Sequence, residues 1–175
     1  MSVIIDGSAG VTTNSGAVYN SIQSGTAVAS TSGTSITFTG IPSWVKRITV
    51  MFSGVSTSGT SGFQIQLGSG SLTTSGYYSI STNIGGFTPQ MLTSASGLVI
   101  NSNAAANTFY GQMILTNVSG NIWVESHAGL NSVSSLTLNT GGGGITLAGI
   151  LDRVAVTTVN GTDTFDAGSI NILYE

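Results

Sequence analysis

Between Ser35 and Phe52 apolar side chains recur at alternate positions: Ile36 and Phe38, then Ile48, Val50 and Phe52, with Ser, Thr and Arg among the residues between them. A period of two marks a strand with one buried face. Gly40-Ile41-Pro42-Ser43 separates the two runs, because proline fixes its own φ and pushes the preceding residue towards extended geometry. This stretch predicts two strands joined by a corner, with Trp44 plugging one end of a core. Phe63, Ile65 and Leu67 alternate with Gln64 and Gln66 and predict a one-sided strand, and further strands are predicted in 121–128, 151–159 and 170–174. Ala27–Thr31, leading through Ser32-Gly33 into Ser35–Thr39, predicts a hairpin. Phe109–Val118 is apolar on both parities, with Phe109, Met113 and Leu115 on one and Tyr110, Ile114 and Val118 on the other. Such a strand is expected to be covered on both faces, by a second layer or another subunit. Residues 68–96 read as one short strand and a long excursion, and Gly141–Gly144 as a loop between Leu136–Leu138 and Ile145–Leu147.

No ten-residue stretch carries a helical period with caps, and no fixed repeat of the solenoid kind is present. Many short strands separated by Gly/Ser turns predict an all-β antiparallel sandwich, jelly-roll-like, over residues 26–175. Residues 1–25 place short apolar patches among Gly, Ser and Asn. They predict an extended N-terminal arm for attachment or subunit contact, ordered by packing on a partner or on the main domain. The expected core contains Phe38, Ile48, Val50, Phe52, Val154, Val156, Ile170 and Ile172.

Composition narrows the function classes. Three basic and six acidic residues among 175 fall far below the usual quarter of charged residues, and Ser, Thr, Gly and Asn take over the polar role. A net charge of −3 argues against nucleic-acid binding, since phosphate neutralisation needs Lys and Arg. Hydrophobic content of 40% opposes disorder. With no cysteine there is no disulfide framework, thiolate metal site or thiol nucleophile. No apolar run approaches about 18 residues and no leader pattern opens the chain, so neither membrane insertion nor a Sec signal is expected.

Candidate chemistry is sparse. Gly141–Gly144 lacks the Lys of a phosphate loop. His127, the only histidine, would have to serve any Ser-His-acid triad, with Glu125 two residues away on the same face. Trp123, Glu125 and His127 form one row, and Ile122, Val124 and Ala128 the other. If the second row faces the core, the first presents a ring, a carboxylate and an imidazole to a glycan; otherwise Trp123 packs under a loop or against a neighbouring subunit. Tyr77 and Tyr78 complete the candidate contact residues. Asp163 and Asp166, near Asn160-Gly161, resemble hard-cation ligands in number too small for calcium and are better read as turn chemistry. Lys46, Arg47 and Arg153 are expected to pair with Asp152 and its acidic neighbours. No catalytic, cofactor or metal residue emerges, and the chain is expected not to be an enzyme.

Two segments carry a family likeness. Phe38-Thr-Gly-Ile-Pro-Ser-Trp-Val-Lys-Arg-Ile-Thr-Val-Met-Phe52 and Leu151-Asp-Arg-Val-Ala-Val-Thr-Thr-Val-Asn-Gly-Thr-Asp-Thr-Phe-Asp-Ala-Gly-Ser-Ile-Asn-Ile-Leu-Tyr-Glu175 resemble a C-terminal module of tailed-bacteriophage tail-fibre-like structural proteins. The opening Val3–Tyr19 region is similar to short tail-fibre repeats that precede such modules. The resemblance implies a virion protein, present in the host cytoplasm during assembly, homotrimeric and contacting other tail or capsid proteins; a host surface glycan is the partner that the Trp123, Glu125, His127 row would add. A fibre would place many repeats before the sandwich, whereas about 25 residues precede it here. That departure strengthens the alternative of a capsid decoration protein, while the resemblance keeps a tail-fibre-type module with host-receptor binding as the first expectation. No functional residue travels with the resemblance.

Overall fold

Among the described residues the chain forms sixteen strands and no helix. The structure, a computed structural model, describes residues 3–6, 10–13, 22–85, 88–102, 104–132 and 136–175. Most of the expected N-terminal arm and Phe87 lie outside them. In chain order the strands are β1 (Val3–Asp6), β2 (Gly10–Thr13), β3 (Gln23–Ser24), β4 (Val28–Ala29), β5 (Ser35–Thr39), β6 (Arg47–Thr57), β7 (Phe63–Ser69) and β8 (Ser71–Leu72). There follow β9 (Tyr78–Ile84), β10 (Gln90–Ser94), β11 (Leu98–Ile100), β12 (Thr108–Ser119), β13 (Ile122–Ser132), β14 (Thr137–Thr146), β15 (Arg153–Thr158) and β16 (Phe165–Tyr174).

A nine-stranded sheet runs β10-β9-β14-β13-β12-β6-β16-β3, with β4 also on β16. A five-stranded sheet runs β11-β7-β15-β5, with β8 on β7. The β1–β2 hairpin makes a separate two-stranded sheet, with Val3 opposite Thr13. All pairings are antiparallel. The two larger sheets enclose one apolar core, so the chain is the all-β antiparallel sandwich that the alternation predicts.

Alternation in β5, β6, β15 and β16 places Phe38, Ile48, Val50, Phe52, Val154, Val156, Ile170 and Ile172 in the core, as expected. Phe52, Phe63, Phe109 and Phe165 form its aromatic centre, with ring centroids 5.4 Å apart for Phe52–Phe109 and 5.6 Å for Phe63–Phe109. Gly40, at φ 74°, and Pro42 turn the chain from the small sheet into the large one, which is the expected corner. Trp44 closes that end of the core against Tyr174, at 6.1 Å between centroids.

Four expectations need correction. The 27–39 hairpin does not form: β4 pairs with β16 in the large sheet and β5 with β15 in the small one. Ser32-Gly33 bridges the layers, held by the Phe165 N–H on the Gly33 carbonyl. Residues 68–96 contain three strands, because β9 and β10 build the outer margin of the large sheet. The run Gly141–Gly144 lies inside β14 and is not a loop. Finally, β7 is not one-sided: Gln64 and Gln66 are buried, Gln64 Oε1 accepting from Ser94 and Ser96 and Gln66 Nε2 donating to the Ser96 carbonyl.

Candidate functional site

The row Trp123, Glu125, His127 faces inward, reversing the orientation that would have offered it to a glycan. Trp123 is 3% exposed and the side chains of Glu125 and His127 are wholly buried, while Ile122 and Val124 stand outside at 41% and 42%. The reason lies on β14. Gly141 sits beside His127 in the register, and a Cβ there would overlap the imidazole and the Ile80 carbonyl. Glycine makes the slot that the ring fills, so packing explains Gly141.

Inside the sandwich, Ser81, His127 and Glu125 stand in the order of a Ser-His-acid triad. Ser81 Oγ is 3.1 Å from His127 Nε2, and His127 Nδ1 is 3.1 Å from Glu125 Oε2. Hydrogen-bond accounting fixes who donates. The Asn101 carbonyl accepts from the side-chain amides of Asn83 at 2.9 Å, Asn131 at 3.0 Å and Asn139 at 2.9 Å. Facing a carbonyl, each of these amides must present its nitrogen. Asn139 therefore turns Oδ1 towards Ser81, 3.2 Å away, and the hydroxyl donates to it. Ser81 Oγ also accepts from the Asn101 N–H at 3.0 Å. Its single proton is committed to Asn139, so His127 Nε2 donates to Ser81 and cannot accept from it.

A general base must be free to take the nucleophile's proton. Here that role is closed by hydrogen bonding and by burial, since Ser81 is 0% exposed. What the group does is satisfy buried polar atoms between β9, β11, β13 and β14 and hold those strands in register. As the only histidine, His127 gives one pair of ring ¹⁵N signals. Those signals should show a proton on Nε2, and a bare Nε2 would refute the assignment.

The two tyrosines diverge. Tyr77 is buried, its hydroxyl accepting from the Leu67 N–H at 2.8 Å and donating to the Thr73 carbonyl at 3.0 Å. It is a plug, not a contact residue. Burial pushes its phenol up to about 12 against a smaller opposing effect of the Leu67 N–H. The unfolded chain releases this proton near pH 10 while the folded chain keeps it. The stabilisation is thus fully present below pH 10 and lost as pH rises from 10 towards 12. Denaturant titrations should show roughly 1–3 kcal/mol lost over that window, a loss reduced by that amount in Tyr77→Phe. Tyr78, the next residue, is 84% exposed.

The remaining polar candidates are structural. Asn160 Oδ1 accepts from the N–H groups of Thr162 and Asp163, and Asp163 accepts from Ser61 N–H at 2.9 Å, which is turn and loop bonding. Asp166 is exposed, and among the described residues no cluster of three or more His, Cys, Asp or Glu could hold a metal. Arg153 pairs with Asp152 at 2.7 Å, and this hydrogen bond, followed by that from Gly70 N–H, holds Asp152 below the usual carboxylate range. Arg47 pairs with Glu175 rather than with Asp152, and Lys46 bonds the Asn117 amide.

What the surface offers instead is the outer face of the large sheet. The inner parity of β12 packs on the second layer, but its outer parity is open, with Tyr110 half exposed. Tyr78, Ile80 and Ile84 of β9, Leu138 of β14 and Ile122 and Val124 of β13 share that face. No charged side chain of β9, β12, β13 or β14 points outward, because Glu125, their one charged residue, is in the core. Antiparallel sheets facing water normally alternate apolar-in and polar-out. Sequence reasoning missed this face because it left the orientation of β13 open and read no strand over most of β9 and β14. Comparison with known proteins finds no matching family model, no matching curated protein and no matching solved structure.

Proposed function

We propose that this chain is a non-enzymatic structural subunit of a tailed-phage virion, working by protein contact through the outer face of its large sheet. The observation that carries this reading is the uncharged apolar face across β9, β14, β13 and β12. Contiguous apolar patches of more than a few hundred Å² are unusual on proteins that stay single. The sealed Ser81–His127–Glu125 group supports the non-enzymatic part, and the two-segment resemblance supplies the virion. Homotrimerisation remains the assembly that the resemblance favours.

The strand path also supports a jelly-roll variant. Without the β13–β14 hairpin and the β16, β3 and β4 margin, β10-β9-β12-β6 faces β11-β7-β15-β5, four strands over four. The inserted hairpin widens the large sheet and brings Ile122, Val124 and Leu138 to its outer face.

Between the two virion roles, the geometry favours capsid decoration over the tail-fibre type. Of the five residues expected to contact a receptor, Trp123, Glu125, His127 and Tyr77 are interior. Tyr78 alone keeps the receptor-binding role open, since it stands between two surface depressions of about 600 and 460 Å³. Purified virions should contain the chain in many copies in capsid-bound fractions. Its restriction to tail fractions, with host adsorption lost in Tyr78→Ala, would replace this reading with the receptor-binding one. Absence from virions would end both.

A further inference from the structure

We propose that the outer face of the large sheet is a self-association surface, on which Tyr78 of one copy seats in a glycine-floored depression of a second copy of this chain.

Shape carries the first part. Tyr78 is the most exposed large apolar side chain among the described residues. On either side of it the sheet surface sinks. One depression has Gly142 and Gly143 in its floor, and the other has Gly144 with Val124 at its wall. The register explains this: Gly144 lies between Tyr78 and Val124, and Gly142 between Ile80 and Ser126. On outward-facing positions, glycine leaves bare backbone where neighbouring strands raise side chains. A protruding ring beside a hollow can be matched by the same feature in a second copy, either reciprocally across a two-fold axis or head to tail around a ring.

Charge selects the occupant. The four strands β9, β14, β13 and β12 present no outward charge, so a charged partner would lose water from its ions and gain nothing to pair with them. The occupant must be uncharged and must match a face that sets Tyr78, Ile80, Val124 and Leu138 among Thr, Ser and Gln. This chain carries such a surface itself, and two copies would meet with no like charges opposed. Extent agrees. Four strands at about 4.8 Å spacing and seven to eight residues at about 3.4 Å give roughly 500 Å² in projection, and side-chain relief raises the accessible area above that. Each partner in a stable interface buries about 800 Å².

The inference does not rest on the virion reading: a self-associating chain that is absent from virions would end that reading and leave this one standing. The test is sedimentation velocity of the purified full chain over a micromolar concentration series. Two variants accompany it, Tyr78→Glu to remove the knob and Gly142→Leu to fill one hollow. Tyr78 is almost wholly exposed, and a Cβ on Gly142 meets nothing closer than the Glu125 carbonyl at 3.6 Å. Circular dichroism should therefore show both variants folded. The native chain should form a closed oligomer, and each substitution should weaken association roughly 30-fold or more, as expected for a central contact residue. A native chain that stays monomeric throughout overturns the proposal, and so does an oligomer that neither substitution weakens.

Discussion

Replacing Phe109 by alanine should be the most damaging single truncation in the apolar half of the core, at about 3–5 kcal/mol. The ring is fully buried between Phe52 and Phe63. Its slot is made by glycines: a Cβ on Gly129 would overlap the ring, and one on Gly111 would crowd it. Strands paired on both sides cannot collapse into the space left behind, so the cavity cost adds to the lost burial. A domain of this length has a total stability on the order of 5–15 kcal/mol. The loss should appear in guanidinium titrations as a large fall in midpoint with unchanged slope. A cost below about 1 kcal/mol would mean that the aromatic centre is not packed as described.

His127→Leu should be comparably severe for a different reason. It leaves Glu125 buried with Oε2 unpartnered, and Oε1 already lacks a protein partner. Removing one member of a buried pair costs about 3–5 kcal/mol, whereas replacing both members by apolar residues is often close to neutral. The double variant Glu125→Leu/His127→Leu should therefore be more stable than His127→Leu alone, with residual cost from Ser81, which loses the donor to its Oγ. Chemical denaturation of the four proteins in this cycle measures the coupling directly. Additive losses would show that the two side chains do not act as a pair.

The halves of the sandwich differ in how much of them sequence could reveal. Where the interior is apolar, in β5, β6, β15 and β16, period-two alternation announced strand, inward parity and core together. Where the interior is polar, the same logic had nothing to read. Inward positions of β9 are Ser79, Ser81 and Asn83, and those of β14 are Thr137, Asn139, Gly141, Gly143 and Ile145, so β9 shows no apolar stripe and β14 only one apolar residue at its end. In β13 the signal was inverted: Ile122 and Val124 look like core and face out, while Glu125 and His127 look like surface and face in. The clue available in advance was the glycine run. Glycine at alternate positions of a strand signals close approach by a neighbouring backbone or side chain, and here the neighbour is the one histidine. The serine of the Ser81–His127–Glu125 group had no such clue, because it lies 46 residues from His127 and meets it only through the β9–β14–β13 order.

If the large sheet meets its neighbours through the outer face of β9, β14, β13 and β12, that face must be covered when the protein is at work. A reconstruction of the assembled particle at side-chain resolution is the direct measurement. It should show protein density against Tyr78, Val124 and Leu138, with no water-filled gap over Gly142 and Gly144. The same face open to solvent, with contacts made instead by the outer surface of the small sheet, would contradict it.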